Sequence, residues 1–130
     1  MPTIVDNGNR PTACILSEAG GRRSRENIVI VAGSGIIAPN TVLGLITSGA
    51  GQGKYKPSPL AAETPDIGNQ TAVAIALYGG DATTADIKVA ALRRDAEVNG
   101  KTLIYAPSVT TAAHRTTKNA QLATAGIIVR

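Results

Sequence analysis

The sequence predicts a mainly β domain with one short helix, preceded by an extended N-terminal arm. Among 130 residues there are 14 Gly and 7 Pro, which leave little room for long helices. The apolar residues occur in short runs bounded by turn residues, a pattern typical of strands. Phe and Trp are absent, so the core must be built from Ile, Val, Leu and Ala. The length fits one domain, since domains usually span about 100–200 residues.

The composition changes near residue 26. Before it, Gly, Pro, Asn, Ser and Arg dominate, and the only apolar patches are Ile4-Val5 and 14–16. So few apolar side chains cannot offset an ordering cost of about 1–2 kcal/mol per residue. We therefore expect residues 1–26 to form a flexible arm that is disordered in isolation and ordered by a partner, and residues 27–130 to form the β-rich domain.

Four apolar runs within the predicted domain indicate strands: 27–32, 41–47, 71–78 and 86–92. The Gly- and Pro-rich stretch 49–59 predicts an irregular loop. Asn99-Gly100 is typical of a type I′ hairpin turn, which predicts a return strand over 102–105.

One helix is predicted near the C-terminus. Thr110 or Thr111 can cap its start, alanines favour its interior, and Gly126 occupies the position at which a glycine often ends a helix. A last strand is predicted over 127–129.

Several functional classes find little support in the composition. The single cysteine, Cys14, fits folding in a reducing compartment. No apolar stretch approaches the roughly 20 residues of a membrane span, and residues 1–10 lack the apolar region of a secretory signal. The net charge of +4 is modest. An arm carrying Arg22, Arg23 and Arg25 leaves a nucleic-acid-associated protein as the alternative function, although three tyrosines are few for base stacking.

No set of residues predicts catalysis. The segment 48–55 is similar to a phosphate-binding loop, but it lacks the leading glycine, the Ser or Thr after the lysine and a following helix. His114 is the only histidine and has no second ligand or nucleophile at a suitable spacing. Asp95 and Glu97 could form a carboxylate pair, but Arg93 and Arg94 lie beside them, which is more typical of a surface charge cluster. We therefore predict no catalytic, cofactor-binding or metal-binding residues.

Several segments together carry a family resemblance, in the family's order and with family-like spacing: Ser24-Arg25-Glu26, 28–31, 38–44, Gly53-Lys54-Tyr55, 94–99 and 121–130. Over residues 17–130 the chain resembles the head decoration proteins of lambda-type tailed phages. The resemblance implies a β-clip fold and a homotrimer without catalysis or cofactor. Such a trimer binds the major capsid protein at local three-fold positions of the expanded head, and stabilises the head against the pressure of packaged DNA.

The resemblance also implies a location and a mode of binding. The protein is expected on the capsid exterior after synthesis in the host bacterial cytoplasm, with no direct contact to nucleic acid or membrane. The family's arm pairs with capsid strands, which is β-strand addition. We therefore expect the arm residues Ile15, Leu16, Ser24 and Arg25 to contact the capsid.

Two departures from the family pattern concern details of packing. Residues 1–16 extend the arm beyond the start that we expect for the family. Where the family often has a tryptophan, this sequence reads Leu103-Ile104-Tyr105.

Overall fold

A computed structural model describes residues 10–21, 23–62 and 67–130. Within these residues the α-helix and the strands follow one another along the chain as β1 (Ile15–Glu18), β2 (Arg25–Ile30), β3 (Gly35–Ile37), β4 (Val42–Leu45), β5 (Tyr55–Pro57), β6 (Ala72–Ala76), β7 (Gly80–Ala82), β8 (Ile87–Leu92), β9 (Ala96–Val98), α1 (Ala112–Thr124) and β10 (Ile127–Val129). The predicted mainly β class with one helix is confirmed.

Five strands close into a barrel in the order β2-β5-β4-β6-β8. The barrel closes where β2 and β8 pair antiparallel, from Arg25 opposite Leu92 to Ile30 opposite Ile87. A five-stranded barrel encloses little space, because barrel diameter grows with the number of strands. Small side chains from Ala74, Ala76 and Ala91 help to fill it. This explains how the domain builds a core without Phe or Trp.

A second core covers one outer face of the barrel. Alternate residues of the barrel strands point outwards, as the two-residue period of a strand requires, and Val42 and Ile75 belong to this outer core. The helix α1 and a three-stranded sheet of order β1-β9-β10 pack over them, contributing Leu122 and Ile127. Strands β3 and β7 form a separate antiparallel pair.

The predicted helix is confirmed together with its cap. The Thr111 Oγ1 accepts a hydrogen bond of 3.2 Å from the backbone N–H of His114, and Gly126 follows the helix with φ of 93°. The buried face of the helix is narrow, because it consists of Lys118 and Leu122.

We expect Thr111→Ala to lower the free energy of unfolding by about 1 kcal/mol, because the first turn loses its side-chain acceptor. Urea denaturation followed by circular dichroism measures the change. The matched control is Thr117→Ala, at an exposed helix position where alanine has the higher helix propensity and stability should not fall. Equal losses in both variants would contradict a specific role for the cap.

The predicted hairpin at 98–101 is wrong. Asn99 has φ of −83°, and its side chain accepts from the Lys101 N–H to cap a short 3-10 helix, Gly100–Thr102. The flanks of β9 are already occupied by β1 and β10, so a return strand has no edge to join. Ile104 instead forms an isolated parallel bridge with Thr41.

The four predicted strands correspond to β2, β4, β6 and β8, and the last strand to β10. The predicted loop 49–59 contains strand β5, which the sequence did not indicate. β5 ends with Pro57, and a proline is more typical of a loop than of a strand. The short strands β1, β3 and β7 are not predicted either, because none of them holds more than two large apolar residues, whereas the equally short β10 consists of three.

Candidate functional site

The described part of the predicted arm packs on the domain. Strand β1 pairs antiparallel with β9, and Cys14 just before it is fully buried in the outer core. Burial raises the pKa of the Cys14 thiol to about 11. The predicted boundary at residue 26 lies inside β2. That residues 1–26 detach in the free protein stays a prediction, and the patch Ile4-Val5 lies outside the described residues.

The bulge in β1 presents Leu16 to solvent. Ile15 is opposite Val98 and Ser17 is opposite Glu97, so two steps on β1 correspond to one on β9 and Leu16 is the extra residue. Its side chain is 54% exposed, whereas Ile15 packs partly against the outer core. β1 is the edge strand of its sheet, and no strand of the described residues pairs with its outer side.

Ser24 lies beneath this surface rather than on it. The residue is 1% exposed; its Oγ accepts from the Ala19 N–H at 2.9 Å and donates to the Asp95 carbonyl at 2.8 Å. It therefore fastens the chain after β1 to the start of β9.

Arg25 holds the other end of β1. Its Nε and Nη2 donate to the two carboxylate oxygens of Glu18 at 3.0 and 2.8 Å. These hydrogen bonds lower the pKa of the Glu18 carboxyl. A bidentate pair fixes geometry more firmly than a single contact does. The four predicted contact residues are thus brought together, with Leu16 outermost and Ser24 and Arg25 holding the strand.

Two of the three arginines of the nucleic-acid alternative, Arg23 and Arg25, pair with carboxylates. Arg23 lies 3.4 Å from Asp95, and Arg25 is held by Glu18. Arg22 lies outside the described residues. Paired guanidinium groups have less capacity for phosphate, so this geometry does not favour the alternative.

The residues weighed for catalysis occupy structural positions. The Lys54 ammonium lies 2.7 Å from Asp86, and the segment after it is strand β5 rather than a helix. His114 takes part in the helix start, where its Nδ1 accepts from the Thr110 N–H at 3.3 Å. Glu97 pairs with Arg130 at 3.3 Å. The described parts of the chain contain no group of three or more side chains suited to a metal ion, and none of their helices is long and apolar enough to span a membrane.

A comparison with protein families decides the identity. The family model described as bacteriophage lambda head decoration protein D matches residues 4–127. This chain belongs to the head decoration protein family. A search of curated proteins finds no match. Family membership implies association with a phage capsid and a place in the virion.

The match corrects one expectation about this decoration protein. Residues 4–16 fall within the family model, so the expectation that residues 1–16 precede the family's start is wrong for all but the first three.

Proposed function

We propose that this protein is a capsid-stabilising decoration protein that binds as a homotrimer at local three-fold positions on the outside of the expanded phage head. The observation that carries the proposal is the family match over residues 4–127. Bound to the major capsid protein, the trimer links neighbouring capsid subunits and resists the pressure of packaged DNA.

The open edge of β1 supports a binding mode for the capsid. An incoming capsid strand could add to the outer edge of β1, which is the edge strand of its sheet, and would find an apolar contact at Leu16. Ile15 lies beside it, and Ser24 and Arg25 keep the strand in place. Backbone hydrogen bonds would then supply affinity, while the bulge at Leu16 would fix the register.

Exposed apolar side chains elsewhere support association between subunits. Ile36 is 81% exposed and Ile104 is 41% exposed, and both line a groove with Pro57 and Pro107. Exposed apolar patches of this kind commonly mark interaction surfaces. Burial of this groove between subunits would stabilise a small aliphatic domain.

We expect Leu16→Asp to weaken binding to expanded empty heads by about tenfold or more, because a carboxylate at the contact must lose its water. Cosedimentation with heads measures the affinity, and light scattering of the free protein checks that its mass stays that of a trimer. The matched control is Leu60→Asp, a partly exposed leucine in the loop after β5.

Two outcomes would contradict parts of the proposal. If Leu16→Asp binds heads as the unchanged protein does, β1 is not the capsid contact. If the unchanged protein neither forms trimers nor binds heads, the function itself is wrong. Point variants are preferable to deletion through residue 24, which would also remove the buried Cys14 and the Ser24 contacts.

A further inference from the structure

Asn40 connects three separate parts of the chain. It is completely buried, and its φ of 68° is a left-handed conformation that asparagine tolerates better than most residues. Its backbone N–H donates to the Ala76 carbonyl at 2.6 Å, and its own carbonyl accepts from the Ile104 N–H at 2.9 Å. The backbone of Asn40 is therefore fixed to the end of β6 and to the segment before α1.

The Asn40 side chain holds the segment that leads into β1. Its Nδ2 donates to the Arg10 carbonyl at 2.9 Å, and its Oδ1 accepts from the Cys14 N–H at 3.3 Å. One carboxamide thus spans the turn 10–14 with both its donor and its acceptor. No aliphatic side chain of similar size could make either bond.

Two backbone contacts complete this attachment. The Thr12 N–H donates to the Leu77 carbonyl at 3.1 Å, and the Cys14 carbonyl accepts from the Asn99 N–H at 2.8 Å. The Cys14 side chain fills a place in the outer core. The turn 10–14 is consequently held at both ends, and β1 begins at the next residue.

We propose that Asn40 is a positioning residue for capsid binding: by holding residues 10–14 on the domain, it presents β1 as a preformed edge. This inference rests on the proposed function, because it needs β1 to be the strand that the capsid contacts. A strand that is already ordered spares the complex the entropy of ordering it. When only a fraction of molecules has β1 in place, the apparent Kd rises by the reciprocal of that fraction.

The single cysteine provides a direct measurement of this attachment. Cys14 is fully buried, so a thiol reagent reaches it only when residues 10–14 leave the domain. The labelling rate divided by that of the urea-unfolded chain gives the detached fraction. Asn40→Gly keeps the left-handed backbone and removes the carboxamide. We expect it to raise the labelling rate about 10- to 100-fold, because two buried hydrogen bonds are lost.

A second variant weakens the same attachment by a change within residues 10–14 instead of at Asn40. Thr12→Pro removes the N–H that donates to Leu77, and its ring cannot adopt the φ of 61° that Thr12 has. Labelling should rise again, and the double variant should be mostly detached. This variant leaves Asn40 intact, so the test survives if Asn40→Gly does not fold. Thr111→Ala is the control for general destabilisation, since Thr111 caps α1 and takes no part in this contact.

The affinity for expanded heads is then measured across the same set of variants. The proposal expects the apparent Kd to follow the reciprocal of the attached fraction: almost unchanged while most molecules are attached, and rising severalfold or more in the double variant. Unchanged Cys14 labelling in Asn40→Gly would overturn the attachment. A mostly detached variant with unchanged affinity would overturn the positioning role. If the unchanged protein binds no heads, the proposed function and the positioning role fail, while labelling still reports the attachment.

Discussion

Gly44→Ala is expected to cost at least about 4 kcal/mol of folding free energy, the range in which single substitutions in small domains often prevent folding. Gly44 lies in β4, at a register shift in its pairing with β6. A Cβ at this position would overlap the backbone of Asn69, including its carbonyl oxygen and Cα. Since the obstacle is main chain rather than the end of a flexible side chain, rotation cannot relieve it.

Thermal denaturation and soluble yield measure this effect. The matched control is Gly20→Ala, where an added Cβ would meet no atom within 4 Å. The control should keep the stability of the unchanged protein within about 0.5 kcal/mol. An unaltered melting temperature for Gly44→Ala would mean that β4 and Asn69 are not packed as the structure shows.

Lys118→Met is expected to lower the free energy of unfolding by about 2–3 kcal/mol, because buried carbonyl groups would lose their donor. Lys118 is 1% exposed, and its ammonium donates to the Ser58 Oγ at 3.0 Å, to the Pro59 carbonyl at 2.5 Å and to the Gln70 carbonyl. It thereby holds both ends of the loop between β5 and β6 against α1. Methionine can fill the volume but cannot donate a hydrogen bond.

The control and a pH measurement make this prediction specific. Lys101→Met removes an exposed lysine and should change stability by less than about 0.5 kcal/mol. Burial lowers the pKa of Lys118 below its ordinary 10.5. The unfolded chain therefore binds more protons between the two pKa values, and this group makes the protein more stable as the pH rises through that interval. Lys118→Met should remove that part of the pH dependence; an identical pH dependence in both proteins would contradict it.

The fold class is predictable from the sequence because local signals agree with the final packing. The apolar runs that became β2, β6 and β8 are buried on the barrel, and the helix carries its own cap at Thr111 and its own stop at Gly126. The hairpin predicted at 98–101 is wrong because strand pairing between distant parts of the chain is not encoded locally. Asn99-Gly100 fits a turn locally, but the neighbours of β9 come from distant parts of the chain, and no local pattern specifies them.

The candidate site was only partly predictable for the same reason. The family resemblance indicates the segment expected to contact the capsid but not which of its side chains face outwards. Leu16 is exposed because of a bulge, and Ser24 is buried because its hydroxyl joins Ala19 to Asp95. The sequence Ala38-Pro39-Asn40 is typical of a turn and indicates nothing further about Asn40. Its role depends on contacts with Arg10 and Cys14 that the sequence alone does not indicate.

The position of β9 between β1 and β10 has a consequence for folding order. β9 pairs antiparallel with residues 15–18 and parallel with residues 127–129. During synthesis, β1 therefore cannot pair until β9 has been made. The three-stranded sheet is complete only after residue 129 has left the ribosome. Contacts so distant in sequence slow folding to milliseconds or longer in small β domains. Until then the edge of β9 that pairs with β10 has no partner and the outer core lacks Ile127, which makes the nascent chain most prone to aggregate just before its last strand is added.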